Sequence, residues 1–506
     1  MTEHIDALTS LSEGALIPFG GDRFTTVGHD LAAAFAPGDA LYVVQETGAL
    51  LHVPAHVRAA VREQVDAAVT AFDTMRTLAP ASIAAFFRSF ADRLLAQWGA
   101  VQGANDDDVR HARSRGRSTT RLEVSDRVRD EMAAGLRGWA ARLDEGGADT
   151  LSRGLSTLDH DTWSVETLTA PLGVIAFVFE GRPNVLADAA GVLASGNTAV
   201  LRIGGDALGT AAAIRDLAML PALRDAGLPD GALAVVPVRD RSAGWALFSD
   251  PRLALAVTRG SGRAVQQLSA VARQAGVPVS AHGTGGAWIL ADDTADATRL
   301  RAVVTHSLDR KVCNTVNVVV VPASRAAELV PVVLDGADAA AAVRGGVARI
   351  HVARGSEGFV ESAEFERRIG VTRAQGVVDE PRASLLEAGD LGREWEWEDT
   401  PELTLLVVDD LDAGIDAFNA HSPQFVASLV SGDEAARARF VARTNAPFVG
   451  DGFTRWVDGQ YALDQPELGL SNWERGRLLA RGGVLTGADL TTRRLVAHTP
   501  DADQHR

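Results

Sequence analysis

The sequence predicts an α/β protein with two domains built on doubly wound parallel sheets, and three observations lead to this prediction. Residues 174–179 form an uninterrupted apolar run, which is typical of a strand buried on both faces of a parallel sheet. Strand and helix patterns alternate from that run to about residue 280, and a second alternation extends from residue 288 to residue 408. A chain of 506 residues is too long for one ordinary core and suits two or three domains.

The first part of the chain is predicted to be an extension followed by helices. Residues 1–55 show no sustained period and contain the breakers Gly20-Gly21 and Pro37-Gly38, so no role is assigned to them. Apolar residues at helical spacing predict three amphipathic helices, at residues 57–72, 83–94 and 128–143. The polar passage 105–121 is predicted to be a solvated helix and loop.

The two alternating series define the predicted sheets. The first series gives strands at residues 174–179, 197–203, 232–238, 253–258 and 277–280, with helices at 206–226, near 242 and at 262–275. The second gives strands at residues 288–290, 316–321 and 403–408, with helices at 295–308 and 323–334. Because ligands bind at the carboxyl ends of strands in such sheets, the loops that follow these strands are candidate sites.

The composition excludes several classes of function. A net charge of -17 at pH 7 argues against a nucleic-acid surface, which needs a clustered basic face. No run of about 18 apolar residues is present that would span a bilayer, and the first residues lack the pattern of an export signal. A single cysteine permits no internal disulfide, which fits a reducing cytoplasm. We therefore expect a cytoplasmic protein without nucleic-acid or membrane partners. No metal site is predicted.

One stretch, residues 308–315, contains the only cysteine and the only lysine of the chain. The thiolate is the reactive form of a cysteine, and a positive charge such as that of Lys311 near Cys313 favours it. The alternative is that Cys313 is a small buried hydrophobic residue.

Two glycine-containing loops of the first series are candidates for binding a dinucleotide. Gly204 and Gly205 precede a predicted helix, where bare backbone and the helix N-terminus favour a phosphate. The loop Arg259-Gly260-Ser261-Gly262 repeats this device, but Val265 stands where a full GxGxxG pattern has its third glycine. Either loop alone is equally typical of ordinary strand-to-helix packing.

Several motifs in order resemble the aldehyde dehydrogenase superfamily, and within it the glutamyl-phosphate reductases of proline synthesis. They lie at residues 170–185, 195–202, 312–314, 452–459, 467–471 and 480–482. The resemblance extends from about residue 57 to residue 496. It implies a Rossmann-type dinucleotide domain at residues 56–281 with about 443–484, and a catalytic domain at 282–442. An oligomerisation ribbon is expected at residues 153–168 with 485–497, in a homodimer or homotetramer.

The resemblance also implies a covalent mechanism. Cys313 would attack an acyl phosphate and expel phosphate, and hydride from a nicotinamide would reduce the thioester to the aldehyde. Asn184 and the Cys313 backbone N–H resemble the family's oxyanion donors; a turn residue is the alternative for Asn184. His282 resembles the family's histidine that binds substrate or moves a proton, although a structural histidine is equally expected. Lys311 would stabilise the thiolate or meet the leaving phosphate.

The cofactor assignments follow from the same resemblance. Arg202, at a strand end, is expected to pair with a 2′-phosphate, which favours NADPH over NADH; a surface arginine is the alternative. Gly204 and Gly205, together with the loop of residues 259–262, would bind the dinucleotide phosphates. Glu398, a few residues before a proline, would bind the cofactor ribose, and a solvated acidic loop is the alternative.

One absence favours reduction over oxidation. Oxidising relatives carry a glutamate in a Glu-Leu-Gly-Gly motif that activates water to hydrolyse the thioester, whereas residues 281–286 here lack an acidic side chain. The leading interpretation is therefore NADPH-dependent reduction of an acyl phosphate, glutamyl 5-phosphate by default, which a carboxylate kinase would supply. The rivals are an aldehyde dehydrogenase for another aldehyde and a non-redox cysteine acyltransferase. Departures from the reductase pattern leave the acyl group open, and they fall at Thr284, Ala287, Trp288 and Asn317.

Overall fold

The computed structural model divides the chain into two compact units. It describes residues 6–117, 119, 122–146, 154–179, 181, 183–373, 376–456, 467–474, 477–478 and 484–500. The first unit comprises residues 1–283, 465–469 and 485–506, and the second comprises residues 284–464 and 470–484. Glu180, Arg182, residues 457–459 and residues 480–482, all part of the predicted motifs, lie outside the described residues.

The helices and strands have the following bounds. The helices are α1 His29–Ala34, α2 Ala55–Met75, α3 Pro80–Ala96, α4 Trp98–Ser114, α5 Asp126–Gly146, α6 Val185–Ala189, α7 Leu208–Ile214, α8 Leu220–Asp225, α9 Ser242–Phe248, α10 Gly262–Gln274, α11 Ala297–Ser307, α12 Ala326–Ala342, α13 Ser362–Glu366, α14 Leu411–His421 and α15 Glu434–Arg443. The strands are β1 Leu16–Phe19, β2 Arg23–Thr26, β3 Ala40–Val43, β4 Leu50–Val53, β5 Gly154–Asp159, β6 Ser164–Pro171, β7 Val174–Phe179, β8 Thr198–Ile203, β9 Leu233–Val235, β10 Leu253–Arg259, β11 Val279–His282, β12 Ala287–Ala291, β13 Val316–Pro322, β14 Arg349–Ala353, β15 Arg368–Arg373, β16 Gly376–Pro381, β17 Ala383–Leu386, β18 Glu402–Val408, β19 Val426–Val430, β20 Phe448–Gly450 and β21 Thr491–His498, with two-residue strands at Gly469–Leu470, Trp473–Glu474, Arg477–Leu478 and Val484–Leu485.

The first unit is built on a parallel sheet with strand order β11-β10-β7-β8-β9. Strand β7 is buried along its whole length, as its apolar run predicts. Its alternate residues enter two separate cores, because side chains point to opposite faces of a strand. Phe177 packs in the core that includes α3 and α5, and Val178 packs in the core that includes α2 and α10. The prediction of a doubly wound α/β fold is confirmed for this unit.

Residues 1–55 and the polar passage differ from their predicted roles. The hairpin of β3 and β4 buries Leu51 and Val53 in the same core as α2, so this part of the predicted extension is integral to the unit. Within the polar passage, Asn105 and Asp108 are buried. One carboxylate oxygen of Asp108 accepts hydrogen bonds from the Thr210 backbone N–H at 2.7 Å and from its hydroxyl at 2.8 Å. The prediction of a wholly solvated passage is therefore wrong, because these polar groups bind buried partners.

The second unit is built on a seven-stranded sheet of order β17-β14-β18-β13-β12-β19-β20, with parallel pairing throughout. The edge strand β20 hydrogen-bonds to β19. The described residues 443–456 therefore belong to this unit, whereas the sequence suggested grouping residues 443–484 with the first one. Helix α12 extends to Ala342, eight residues beyond its predicted end, because the alanine-rich stretch after residue 334 favours helix.

The predicted ribbon is a three-stranded antiparallel sheet of order β21-β6-β5. Strand β5 is exposed along its whole length, so its pairing edge lies open to a further strand. Its role in oligomerisation stays a prediction. Across the described residues, no helix is long and apolar enough to cross a membrane, and no group of three His, Cys, Asp or Glu side chains is arranged to hold a metal ion.

Candidate active site

The cysteine loop joins α11 to β13 in the second unit. Thr315 fixes its shape, since its hydroxyl donates to the Arg310 carbonyl at 2.6 Å and accepts from the Val312 backbone N–H at 2.9 Å. Cys313 is half-buried and packs against a small apolar cluster that includes Ala287 and Phe425. The thiol is therefore held in a fixed, partly apolar loop.

A glycine pair packs directly on the backbone of Cys313. Gly286 donates its N–H to the Cys313 carbonyl at 2.8 Å and has a φ of +105°, which favours glycine. A Cβ placed on Gly285 would lie 2.7 Å from the Cys313 carbonyl oxygen and 2.8 Å from its Cα. Only a glycine at residue 285 permits this approach.

The Lys311 side chain is paired with carboxylates. Its ammonium forms an ion pair with Glu394 and lies 3.8 Å from a carboxylate oxygen of Glu396. The second carboxylate oxygen of Glu394 accepts a hydrogen bond from the Gly285 backbone N–H at 2.6 Å. Glu394 was not among the predicted site residues. The one sequence feature that points to it is the alternation in residues 394–398, where two tryptophans, both buried in the structure, separate three glutamates.

Two departures from the reductase pattern have structural explanations. Trp288 is fully buried and packs edge-on against Phe418. The amide of Asn317 is also buried, and it donates to the Arg393 carbonyl at 2.8 Å and accepts from the Trp395 backbone N–H at 2.9 Å. These two side chains therefore pack or hydrogen-bond within the second unit.

The C-terminal motif contributes Arg455 to the cysteine loop. Its guanidinium donates to the Asp309 carboxylate at 2.7 Å and also hydrogen-bonds to the Asn314 side chain. Asn314 is buried, so this contact holds the residue directly after Cys313. Nothing in the local sequence indicated the contact, since 141 residues separate the two partners.

The first unit holds the predicted oxyanion and histidine residues. Asn184 precedes α6 on the loop after β7 and is half-buried, and its amide donates to the Asp188 carboxylate at 3.2 Å. His282 ends β11 and is buried, and its carbonyl accepts from the Gly260 N–H at 3.3 Å. Cys313 belongs to the other unit, and the oxyanion roles of Asn184 and of the Cys313 N–H stay predictions.

The predicted dinucleotide loops follow the neighbouring strands β8 and β10. Arg202 is buried near the end of β8, and its guanidinium donates to the carbonyls of Arg239 and Asp240 at 3.3 and 3.2 Å. Gly204 follows this strand, and a Cβ on Gly205 would lie 3.2 Å from the Arg239 carbonyl oxygen. Close packing against the Arg239 backbone therefore explains the glycine at position 205.

The loop after β10 fits an anionic cofactor group better. Helix α10 begins at Gly262, directly after the loop Arg259-Gly260-Ser261, and its first turn contains no acidic residue. Its N-terminal N–H groups are thus suited to a phosphate. Arg259 forms an ion pair with Glu467 at 2.5 Å. Glu398 is exposed in the second unit, and its ribose contact stays a prediction.

A charged cavity of about 580 Å³ lies in the second unit at the amino ends of β14 and β18. Glu402 is buried there and accepts from Arg373 at 2.6 Å and from His351 at 2.9 Å. Burial alone would raise the pKa of Glu402, but these hydrogen bonds and charges lower the pKa to about 2. Burial also lowers the pKa of His351, which stacks on Trp395. No pattern in the sequence indicated this network.

Comparisons with known proteins agree with the geometry. A family model described as aldehyde dehydrogenase family matches residues 44–348. The gamma-glutamyl phosphate reductase of Afipia carboxidovorans is 31% identical over 417 residues, which cover 80% of this chain and 86% of that protein. The one of Methylobacterium nodulans is 33% identical over 66% of this chain and 71% of that protein. Among solved structures, gamma-glutamyl phosphate reductase from Thermotoga maritima has a TM-score of 0.73 at 22% identity, covering 88% of this chain and 99% of that one. An acetylating aldehyde dehydrogenase from Geobacillus thermoglucosidasius has a TM-score of 0.60 at 13% identity, covering 89% and 99%.

Proposed function

Because the chain belongs to the aldehyde dehydrogenase family, we propose that it reduces an acyl phosphate to an aldehyde with NADPH, through a thioester on Cys313. Its α/β fold and its class, an oxidoreductase of this family, are those that the sequence predicts. The proposed substrate is L-glutamyl 5-phosphate, which gives glutamate 5-semialdehyde for proline biosynthesis. This choice is supported by relatives named gamma-glutamyl phosphate reductase that match about four fifths of the chain.

The observation that carries the proposal is that both oxygens of the Glu394 carboxylate, beside the cysteine loop, already have partners. A hydrolytic aldehyde dehydrogenase needs a general base to activate water against the thioester. Glu394 uses one oxygen for Lys311 and the other for the Gly285 N–H, and residues 281–286 contain no acidic side chain. This arrangement leaves the thioester intact until it is reduced, which favours an acyl-phosphate reductase.

The mechanism assigns steps to residues of this chain. The Cys313 thiolate attacks the carbonyl carbon, the carbon–oxygen bond to phosphate breaks, and phosphate leaves with the electron pair. Asn184 and the Cys313 N–H are proposed to donate hydrogen bonds to the oxyanion, and His282 to bind the substrate or move a proton. The N-terminus of α10 and the loop after β8 would hold the dinucleotide, with Arg202 favouring a 2′-phosphate. A nicotinamide bound there would supply the hydride that converts the thioester to the aldehyde.

Two further proposals concern partners. A carboxylate kinase is proposed to supply the acyl phosphate, because such a mixed anhydride must be made from a carboxylate and a phosphoryl donor. The exposed edge of β5 supports a homodimer or homotetramer that pairs through the ribbon.

The phosphate requirement of the reverse reaction tests the proposed function. The enzyme should reduce NADP in steady turnover with glutamate 5-semialdehyde only when inorganic phosphate is present, because phosphate must attack the thioester to release it. The measurement is NADPH absorbance in matched assays with phosphate or with sulfate at equal ionic strength. Steady turnover without phosphate would support a hydrolytic aldehyde dehydrogenase instead. Failure to bind either nicotinamide would leave only the non-redox acyltransferase.

A further inference from the structure

The Glu394 carboxylate links residues 285–286, which pack on Cys313, to the cysteine loop itself. Glu394 accepts from the backbone N–H of Gly285, in the segment that packs on Cys313, and from the ammonium of Lys311, in the cysteine loop itself. The same ammonium lies 3.4 Å from the Val312 carbonyl, directly before Cys313. A Cβ built on Gly285 would be 2.8 Å from both the Glu394 carboxylate and the Cys313 Cα. The carboxylate and the nucleophile's backbone are therefore immediate neighbours.

The backbone that carries Glu394 is itself fixed to the sheet. Asn317, near the start of β13, holds both neighbours of Glu394 through its hydrogen bonds to Arg393 and Trp395. The Trp395 indole N–H also donates to the Thr404 hydroxyl at 2.8 Å. Contacts with β13 and β18 therefore fix the backbone that carries the Glu394 carboxylate.

The pair is largely buried, and its two charges balance each other. The Lys311 side chain is 7% exposed and that of Glu394 is 17% exposed. Removing Lys311 would leave the Glu394 carboxylate buried without its cation, and removing Glu394 would leave the ammonium with only Glu396, which lies 3.8 Å away and whose side chain is 66% exposed. An unpaired lysine beside a thiol favours the thiolate, and an unpaired carboxylate disfavours it. The pair is therefore able to control both the position of Cys313 and the charge around it.

We propose that Glu394 and Lys311 are positioning residues for Cys313, acting as one ion pair that clamps the cysteine loop onto residues 285–286 and keeps the local charge near zero. The inference deepens the proposed function and rests on its nucleophile. It replaces the expected role of Lys311 as a group that meets the thiolate or the leaving phosphate, because its ammonium is already paired.

Alkylation of the cysteine tests the charge balance without substrate or cofactor. Because the chain has one cysteine, iodoacetamide incorporation at a series of pH values reports Cys313 alone. At pH 7, Glu394→Gln should raise the alkylation rate about threefold and Lys311→Met should lower it about threefold, which corresponds to opposite shifts of half a pH unit. The double variant should return to the wild-type profile. The proposal would be overturned if both single variants shifted the alkylation profile in the same direction, or if neither changed it.

The double variant, Glu394→Gln with Lys311→Met, also tests whether the ion pair holds the cysteine loop in place. It remains informative if one of the single variants fails to fold. It leaves no unpaired buried charge, so its thermal midpoint should stay near that of the wild type. Its kcat should fall at least about tenfold with little change in KM, since the nucleophile is misplaced while the binding surfaces remain; Lys311→Arg should retain most of the activity. An unchanged kcat in the double variant would contradict the clamp.

A matched control uses an exposed ion pair of the same unit. Glu328→Gln breaks the pair of Glu328 with Arg325, whose side chains are 54% and 24% exposed, and should change neither alkylation nor kcat. Failure of the proposed function gives a different result, because steady NADP reduction would then proceed without phosphate, or nicotinamide binding would be absent, whatever the alkylation profiles show.

Discussion

Replacing Cys313 with serine should lower turnover by at least about 1,000-fold, the order of loss seen when a covalent nucleophile is removed. A serine hydroxyl is a far weaker nucleophile at neutral pH than a thiolate, and the loop around it contains no histidine that would activate it. The serine fits the half-buried site, so the fold and the dinucleotide loops of the first unit should be unaffected. Aldehyde-dependent NADP reduction measures the loss, and NADPH fluorescence measures retained binding.

Cys313→Ala provides the companion variant for this prediction. It should be as inactive as the serine variant and should bind NADPH equally well. Turnover within tenfold of the wild type in either variant would mean that another group attacks the substrate.

Replacing Gly285 with alanine should lower kcat by about 100-fold, the effect expected of a misplacement of about 1 Å. The new Cβ would meet the Cys313 carbonyl oxygen at 2.7 Å and its Cα at 2.8 Å. These are backbone atoms, so the cysteine loop must move to relieve the clash. Steady-state kinetics with phosphate, together with a thermal melt, measures the effect.

Gly346→Ala is the control for this glycine. Residue 346 is exposed in the same unit, and a Cβ there has no atom within 4 Å. The control should keep both kcat and the thermal midpoint. If Gly285→Ala behaved in the same way, the close approach of the two segments would not matter for catalysis.

The sheets were predictable because their signal is local. Strand β7 is a continuous apolar run, β13 is apolar apart from Asn317, and both are buried along their whole length. Such strands can be recognised in a sequence without knowing their partners. The predicted nucleophile likewise depends on one short motif. The division between the units was less predictable, because β20 is only three residues long, Phe448–Gly450, which is too short to show a strand pattern in the sequence.

Contacts between distant residues also explain what was missed at the site. Glu398 was chosen by its distance from Pro401, but it is exposed, whereas Glu394 forms the ion pair with Lys311. Trp395 and Trp397 are buried, and their burial sets the direction of the glutamates that alternate with them. The residues that cover the tryptophans are distant in sequence and could not be predicted. Asp108 was misjudged for a similar reason, since its partner Thr210 lies 102 residues away.

The most direct test of the mechanism is the mass of the cysteine peptide after the enzyme is mixed with glutamate 5-semialdehyde and NADP in the absence of phosphate. Oxidation of the bound aldehyde should then stop at the thioester. The account predicts one NADPH per active site and one acyl group on Cys313, removable by hydroxylamine and lost when phosphate is added before quenching. An unmodified Cys313 after NADPH has formed, or an acyl group on another residue, would contradict it.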